Sequence, residues 1–249
     1  MTAATVAAAD ALLQCHLPRA DAPARLVCFP HAGGSASFFR DWGARLPGFM
    51  VHAVRYPGRA ERLLEPPPTD LRSLAAEIAV GVQPLADRPL VLFGHSLGAV
   101  VALETARVLE SSGIEVAHLL ASGSRDGGLP PPESASDDGL DDTATMQQLL
   151  QFGGTDIELA ADPSFQELVL PYVRADGKMF HAYEHRTRPR LRCPVTTIVG
   201  DADADADRRP WRKLTPAFRE QVVPGDHFYL LAEPPFGLVA GVATGSATA

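Results

Sequence analysis

The chain has 249 residues, of which 46% are hydrophobic and 21% are charged, an ordinary composition for one globular domain with a substantial core. The formal net charge of −8 argues against nucleic acid as a partner, and no apolar run approaches the roughly 20 residues that a membrane helix needs. The three cysteines have no CxxC spacing, so neither a disulfide framework nor a zinc site is indicated. We therefore expect no membrane association and a cytoplasmic location.

The first 24 residues are predicted to be an N-terminal leader that is partly disordered. The segment is rich in alanine, but no basic residue precedes its apolar stretch, so it makes a poor secretory signal. Residues 25–249 are predicted to form a single α/β domain.

Short, β-prone apolar runs recur along this domain, and most are continuous rather than alternating. Continuous runs suit parallel strands that are covered on both faces of a sheet. Between residues 69 and 84 the apolar positions follow helical spacing, with Thr69 or Asp70 as the N-cap. Strands alternating with helices predict an α/β fold with a mostly parallel central sheet. The predicted strands are Arg25–Phe29, Met50–Val54, Leu90–Phe93, Val116–Ala121, Val195–Val199 and Phe218–Val223.

The segment from about residue 124 to 187 is predicted to be a helical lid inserted into this domain. A turn-rich, acidic stretch, SGSRDGGLPPPESASDDGLDD, lies at the start of this segment, and no good strand is predicted within it. Two helical pieces follow, MQQLLQF and a second piece that opens with Asp162 as N-cap and Pro163 at the first helical position. We expect Pro171 to kink or break the second piece.

The stretch LVLFGHSLGAVVALETA, residues 90–106, joins a strand to a helix through the sequence Gly-His-Ser-Leu-Gly. A tight strand-to-helix turn pushes its central side chain outward, and this predicts Ser96 as a nucleophile. Any Cβ at Gly94 or Gly98 would clash in so sharp a bend. The Leu97 N–H at the helix N-terminus is predicted to hold an oxyanion.

A serine needs a histidine as base and a carboxylate to hold that histidine. After a corner of this kind the acid and then the base follow in chain order. His227, directly after the last apolar strand, is predicted to be the base. Asp203 is predicted to be the acid, with Asp201 and Asp205 as alternatives in the same acidic loop.

The loop after the first strand reads FPHAGGSASFF, and its glycines allow the backbone to approach a ligand closely. Sheets of this class bind ligands at the carboxyl ends of their strands. The Ala32 N–H is therefore predicted to be the second oxyanion donor.

Taken together, FPHAGGSASFF, VRYPGRAERLLEPP, FGHSLGA, VGDADAD and PGDHFYL resemble the type II, or editing, thioesterases of polyketide and nonribosomal peptide synthesis. LDDTATMQQLLQFGGT and LPYVRAD resemble the lid of that family, and the likeness runs from about residue 25 to 231. In the family the acid stands three residues after a strand-end glycine, which gives Asp203 after Gly200. It is often followed by proline, whereas Ala204 follows here.

The resemblance implies an α/β-hydrolase fold and a serine hydrolase that removes aberrant or stalled acyl groups from phosphopantetheine arms. The implied partner is an acyl or peptidyl carrier protein, and we expect no metal or other cofactor and a monomer. A general carboxylester hydrolase or lipase, an acyltransferase and a non-catalytic scaffold that binds carrier proteins remain alternatives.

A carrier protein needs a docking surface, and carrier proteins are usually acidic, like this chain. A local basic patch could offset the repulsion between two acidic proteins. We interpret five arginines that follow strand ends as docking candidates: Arg55, Arg59, Arg62, Arg208 and Arg209.

Overall fold

The computed structural model describes residues 11–128 and 162–243. Its strands are β1 (Leu13–Gln14), β2 (Ala24–Phe29), β3 (Phe49–Val54), β4 (Leu90–His95), β5 (His118–Ser122), β6 (Ser124–Asp126), β7 (Val195–Gly200), β8 (Asp207–Arg209) and β9 (Phe218–Val223). Its helices are α1 (Trp42–Arg45), α2 (Leu71–Val82), α3 (Leu97–Ser111), α4 (Pro163–Ala182), α5 (Tyr229–Ala232) and α6 (Phe236–Ala243). Short 3₁₀ turns occur at Ala36–Phe39, Ala60–Arg62, Gln83–Leu85 and Trp211–Lys213.

Seven strands form one sheet in the order β1-β3-β2-β4-β5-β7-β9. β1 is antiparallel to β3, and every other neighbouring pair is parallel. The short strands β6 and β8 pair with each other at the side of this sheet. The predicted α/β fold with a mostly parallel sheet is confirmed.

Both faces of the sheet are covered, because alternate residues of a strand enter two different cores. Val27 and Phe29 pack with residues of α2 and α3, whereas Leu26 and Cys28 pack with Trp42 and with α6 on the other face. This double burial explains why the central strands read as continuous apolar runs.

The six predicted strands all form, with ends that differ by no more than two residues. The N-cap of α2 is Asp70, whose carboxylate accepts the Ser73 amide hydrogen. β1, β6 and β8 are strands that the apolar pattern does not reveal, since each has only two or three residues. β6 lies at the start of the predicted helical lid, so the expectation of no strand in that segment is wrong. β1 lies within the predicted leader, so the sheet begins before residue 25; the division into leader and domain otherwise stays a prediction.

In the lid segment, α4 begins as predicted, with Asp162 accepting hydrogen bonds from two amides of the first turn. The sequence predicts a kink or a break of this helix at Pro171. The predicted break is wrong, because α4 runs through Pro171 to Ala182, and the kink stays a prediction. Proline removes one hydrogen bond to the carbonyl four residues earlier, and Glu167 is exposed, so water can satisfy that carbonyl. The other predicted helical piece, MQQLLQF, and most of the acidic stretch lie outside the described residues.

The last strand of the sheet, β9, has an exposed surface: Arg219, Glu220, Gln221 and Val222 are all solvent-accessible. In the two described ranges, no helix is long and apolar enough to cross a membrane.

Candidate active site

The corner between β4 and α3 depends on two glycines that cannot carry a side chain. A Cβ at Gly94 would lie 2.2 Å from the Gly98 carbonyl oxygen, and a Cβ at Gly98 would lie 2.1 Å from the Phe29 carbonyl oxygen. Between them Ser96 has φ of 55° and ψ of −122°, which is a strained backbone for any residue with a Cβ. The predicted tight turn is therefore present, with Ser96 at its apex.

The corner is attached to the strands on both sides of β4. The Ser96 amide donates to the Ser122 carbonyl at the end of β5, at 2.9 Å. The clash at Gly98 shows that the start of α3 lies directly against the end of β2. Because the strands are parallel, their carboxyl ends and the loops that follow them meet at one edge of the sheet.

Asp203 and His227 follow β7 and β9 at this same edge and form a buried pair. His227 Nδ1 lies 2.9 Å from Asp203 Oδ2, and we assign the hydrogen to Nδ1 because a carboxylate can only accept. The Asp205 amide donates to the other oxygen of Asp203 at 2.9 Å. With Nδ1 protonated, Nε2 is the basic nitrogen of His227.

The two alternative acids, Asp201 and Asp205, have other hydrogen-bond partners than His227. Asp201 is exposed and accepts the Gly225 amide at 2.9 Å, and Asp205 is exposed and contributes its own amide to Asp203. The loop after β9 passes close to the end of β7: a Cβ at Gly200 would lie 2.3 Å from the Gly225 carbonyl oxygen. The structure thus pairs His227 with the aspartate three residues beyond Gly200.

Gly123 brings His227 to the corner. A Cβ at this glycine, whose φ is 65°, would lie 2.9 Å from His227 Cε1 and 3.0 Å from His95 Cε1. The rings of His227 and His95 are 5.0 Å apart between centroids, and His95 directly precedes Ser96. The imidazole and the serine are therefore on the same side of the molecule, at the same strand ends.

The loop after β2 brings backbone amides to this edge. Ala32 is half-buried three residues beyond Phe29, and the Gly34 amide closes a turn onto the His31 carbonyl at 2.9 Å. Leu97 is the first residue of α3, so its amide has no acceptor within the helix itself. The structure places both predicted oxyanion donors at the edge that holds Ser96.

Two further histidines lie beside His227, and both are neutral near pH 7. Burial, with the positive charges of His227 and Arg59, lowers the pKa of His31 to about 3. Burial also lowers the pKa of His95 well below its ordinary value. His31 packs edge-on against Phe228, with 4.9 Å between the ring centroids.

A buried polar chain beneath the corner was missed from the sequence. His95 Nδ1 lies 2.9 Å from Ser122 Oγ, which lies 2.7 Å from the Tyr229 hydroxyl. Burial raises the pKa of Tyr229, so its hydroxyl stays protonated. Tyr229 stands two residues after His227, but nothing in the sequence connects it with a serine 107 residues earlier.

The YPGR sequence supports the loop after β2. The Tyr56 hydroxyl donates to the Pro30 carbonyl at 3.1 Å. Gly58 has φ of 82° and lies against Pro67, 2.8 Å from where its Cβ would be, so only glycine fits there. Arg59 turns inward and binds Asp176 of α4, the last residue of the lid sequence LPYVRAD. The family resemblance drew attention to that segment, but it assigned no role to this carboxylate.

The docking interpretation is wrong for two of its arginines. The side chains of Arg59 and Arg209 are 2% and 5% exposed, and each binds a carboxylate inside the protein. Arg62 binds Glu65 and Glu77 at the surface.

Comparison with known proteins agrees with this architecture. The thioesterase domain family matches residues 24–240. Thioesterase PikA5 of Streptomyces venezuelae is 39% identical over 220 residues, which are 86% of this chain and 78% of that protein. YbtT, a type II thioesterase from the yersiniabactin NRPS/PKS pathway, superposes with a TM-score of 0.81 at 31% identity, covering 96% of this chain and 100% of YbtT.

A second solved structure gives the same result. RedJ, a thioesterase from the prodiginine pathway in Streptomyces coelicolor, has a TM-score of 0.74 and 36% identity, with 92% of this chain and 89% of RedJ covered. The family resemblance expected from the motifs is confirmed. This chain belongs to the thioesterase domain family, and it is a type II thioesterase with the α/β-hydrolase fold.

Proposed function

We propose that this thioesterase hydrolyses aberrant or stalled acyl groups from the phosphopantetheine arm of an acyl or peptidyl carrier protein, with Ser96, His227 and Asp203 as its catalytic triad. The observation that carries the proposal is the buried Asp203–His227 pair, set against the strained corner at Ser96. Carrier proteins enter the proposal because YbtT belongs to an NRPS/PKS pathway, and synthases of that type hold their acyl groups on carrier proteins.

In the first half of the proposed reaction, His227 Nε2 takes the proton of the Ser96 hydroxyl as its oxygen attacks the thioester carbonyl. The Ala32 and Leu97 amides donate to the oxygen that becomes negative. Asp203 keeps the hydrogen on Nδ1 and stabilises the imidazolium. Collapse of the tetrahedral intermediate breaks the C–S bond, and His227 gives its proton to the departing pantetheine thiolate.

In the second half, His227 takes a proton from water, which attacks the acyl-enzyme carbonyl. The same two amides hold the oxyanion, and the free acid leaves as Ser96 regains its proton. The neutral state of His31 and His95 favours this scheme, because a second charged imidazole beside His227 would oppose formation of the imidazolium. No step calls for a metal or other cofactor. A cytoplasmic location and a monomeric enzyme stay predictions.

The test compares an acyl group on a carrier protein with the nitrophenyl ester of the same acyl group. We expect a higher kcat/KM for the carrier thioester and, in Ser96→Ala, a loss of at least about 10⁴-fold with the far-UV circular dichroism unchanged. A fluorophosphonate should label the wild-type enzyme at Ser96.

Each alternative has its own outcome. A preference for the nitrophenyl ester would indicate a general carboxylester hydrolase. Absence of labelling at Ser96 would indicate a non-catalytic scaffold, and turnover retained in Ser96→Ala would refute the triad. Transfer of the acyl group to an added alcohol or amine in preference to water would indicate an acyltransferase.

A further inference from the structure

The carboxylate of Asp176 lies fully buried between the lid helix α4 and the loop after β2. Its Oδ2 accepts the Gly33 amide hydrogen at 2.9 Å. Gly33 follows Ala32, the proposed oxyanion donor, and has φ of 75°. One side chain of the lid therefore holds the backbone directly beside the proposed donor.

Arg59 completes this contact from a third segment of the chain. Its two terminal nitrogens donate to the two oxygens of Asp176, both at 2.6 Å, and Nη1 also lies 3.3 Å from the Gly34 carbonyl oxygen. The guanidinium lies 4.7 Å from the ring centroid of Tyr172, one turn earlier in α4. A planar fork on a carboxylate fixes orientation as well as distance.

The loop is thereby held at three points around Ala32. Tyr56 binds the Pro30 carbonyl before it, Asp176 binds the Gly33 amide after it, and Arg59 contacts the Gly34 carbonyl. An oxyanion donor stabilises a transition state only when its position is set in advance, because reorganisation during the reaction cancels the gain.

We propose that Asp176, together with Arg59, is a positioning residue for the hydrolysis: it holds the Ala32 amide in place for the oxyanion and couples that amide to the lid helix. The inference rests on the proposed function of Ala32. The proposed coupling links the lid to catalysis. Any movement of α4 away from the sheet would release the Gly33 amide and weaken the oxyanion site.

A second buried ion pair serves as a matched control for Asp176 and Arg59, because its role is structural only. Glu104 and Arg107 of α3 are also buried and also form an ion pair at 2.6 Å. Glu104 accepts a hydrogen bond from Tyr183, just after the end of α4, so this pair too joins the lid helix to the body of the protein. Among residues 11–128 and 162–243, the other hydrogen-bond and ion-pair partners of these two side chains are Arg72, Tyr183 and Arg186, and none of these belongs to the loop after β2.

The experiment compares Asp176→Asn with Glu104→Gln. Each change turns a buried carboxylate into an amide that can no longer accept from every donor around it. We measure the melting temperature, kcat and KM for an acyl-N-acetylcysteamine thioester, and amide hydrogen exchange of the peptide that covers residues 29–38.

For Asp176→Asn we expect kcat to fall about 10- to 100-fold with KM within about threefold, because the donor is misplaced rather than removed. Exchange in the 29–38 peptide should accelerate at temperatures where the protein is folded. Glu104→Gln should lower the melting temperature comparably, with kcat within about twofold and exchange of this peptide unchanged.

The inference is overturned if folded Asp176→Asn keeps kcat within about twofold of the wild type, or if Glu104→Gln loses as much kcat. Should Asp176→Asn fail to fold, Arg59→Lys is judged by the same criteria, because it keeps the charge and loses the fork. Failure of the proposed function is a separate result: the wild-type enzyme would not hydrolyse the thioester, while the exchange measurement would still report whether Asp176 holds the loop.

Discussion

The corner at Ser96 and the contact between the lid helix and the loop after β2 hold the same site by different physical means. At the corner, backbone packs directly on backbone, because Gly94 and Gly98 leave no room for a Cβ. At the lid, one buried carboxylate and one guanidinium join segments 117 residues apart. The corner is held by contacts between backbone atoms, whereas the lid contact depends on two side chains.

This difference suits the two roles proposed above. The proposed nucleophile has to keep one geometry throughout the reaction, and steric packing provides that without any charged group. If the lid helix moves to admit the proposed phosphopantetheine arm, a single side-chain pair can be released as a unit. The following substitutions test the corner, the lid helix, the acidic loop beside the corner and the central sheet.

The largest combined effect, on stability as well as on turnover, is expected from Gly98→Ala. The new methyl group would overlap the carbonyls of Phe29 and Pro30, which belong to backbone and cannot rotate away. We expect the free energy of unfolding to fall by about 3 kcal/mol and kcat to fall about 1000-fold as the corner and the proposed oxyanion amides separate. Chemical denaturation and steady-state kinetics measure the two losses.

The matched control is Gly177→Ala in the lid helix, where a Cβ would meet nothing within 4 Å. This change should stabilise the protein by about 0.5–1 kcal/mol, because alanine is the better helix former. Equal behaviour of the two glycine variants would contradict the steric account of the corner.

The next effect concerns the carboxylate that holds His227. Asp203→Asn keeps the size of the side chain, but its amide can face Nδ1 with a donor and favour the wrong tautomer. We expect kcat to fall about 10³- to 10⁴-fold. Asp201→Asn and Asp205→Asn should stay within about twofold, since an asparagine oxygen can still accept the Gly225 amide and Asp205 contributes only its own amide. A large loss in either control would move the acid to another position in this loop.

The smallest effect is expected at His118 in β5, which belongs to neither region, and it concerns how stability depends on pH. Burial lowers the pKa of His118 from 6.5 to about 4. As the pH falls, the unfolded chain binds a proton first, so the stability due to neutral His118 is present above about pH 6.5 and is lost between there and about pH 4. His118→Gln, which can still bind Thr196, removes this titration.

The stability difference between pH 7 and pH 5 should therefore be smaller in His118→Gln than in the wild type, by about 1–2 kcal/mol. Urea unfolding at the two pH values measures it. An unchanged difference would mean that His118 is accessible to protons in the folded state.

The corner could be read from the sequence because its constraint is local. Only glycine fits at Gly94 and Gly98, and both stand within two residues of Ser96. The strands were found for a related reason, since burial on both faces leaves continuous apolar runs. The residues alone left Asp201, Asp203 and Asp205 open, and the register of the acidic loop came from the family resemblance, which counts three residues from Gly200. The structure explains that glycine, because two backbone carbonyls approach it.

The lid contact could not be read in the same way. The family resemblance marked the segment LPYVRAD, which ends in Asp176, but it gave this carboxylate no role. Its contacts with Arg59 and Gly33 arise only on folding. The YPGR sequence drew attention to Arg59, but charge alone suggested a surface role that its burial contradicts. At Pro171 a local rule predicted a kink or a break, and the break does not occur. The rule does not take account of the exposed position of Glu167, where water can replace the missing hydrogen bond.

The exposed strand β9 has a consequence for how copies of this protein meet each other. β7 is its partner in the sheet, and no other strand among residues 11–128 and 162–243 pairs with it. An open strand edge can template pairing between molecules, and charged side chains such as those of Arg219 and Glu220 oppose this. The strand that leads to His227 is therefore also an edge whose charged side chains oppose pairing between copies, and Val222, 51% exposed, is its most exposed apolar position.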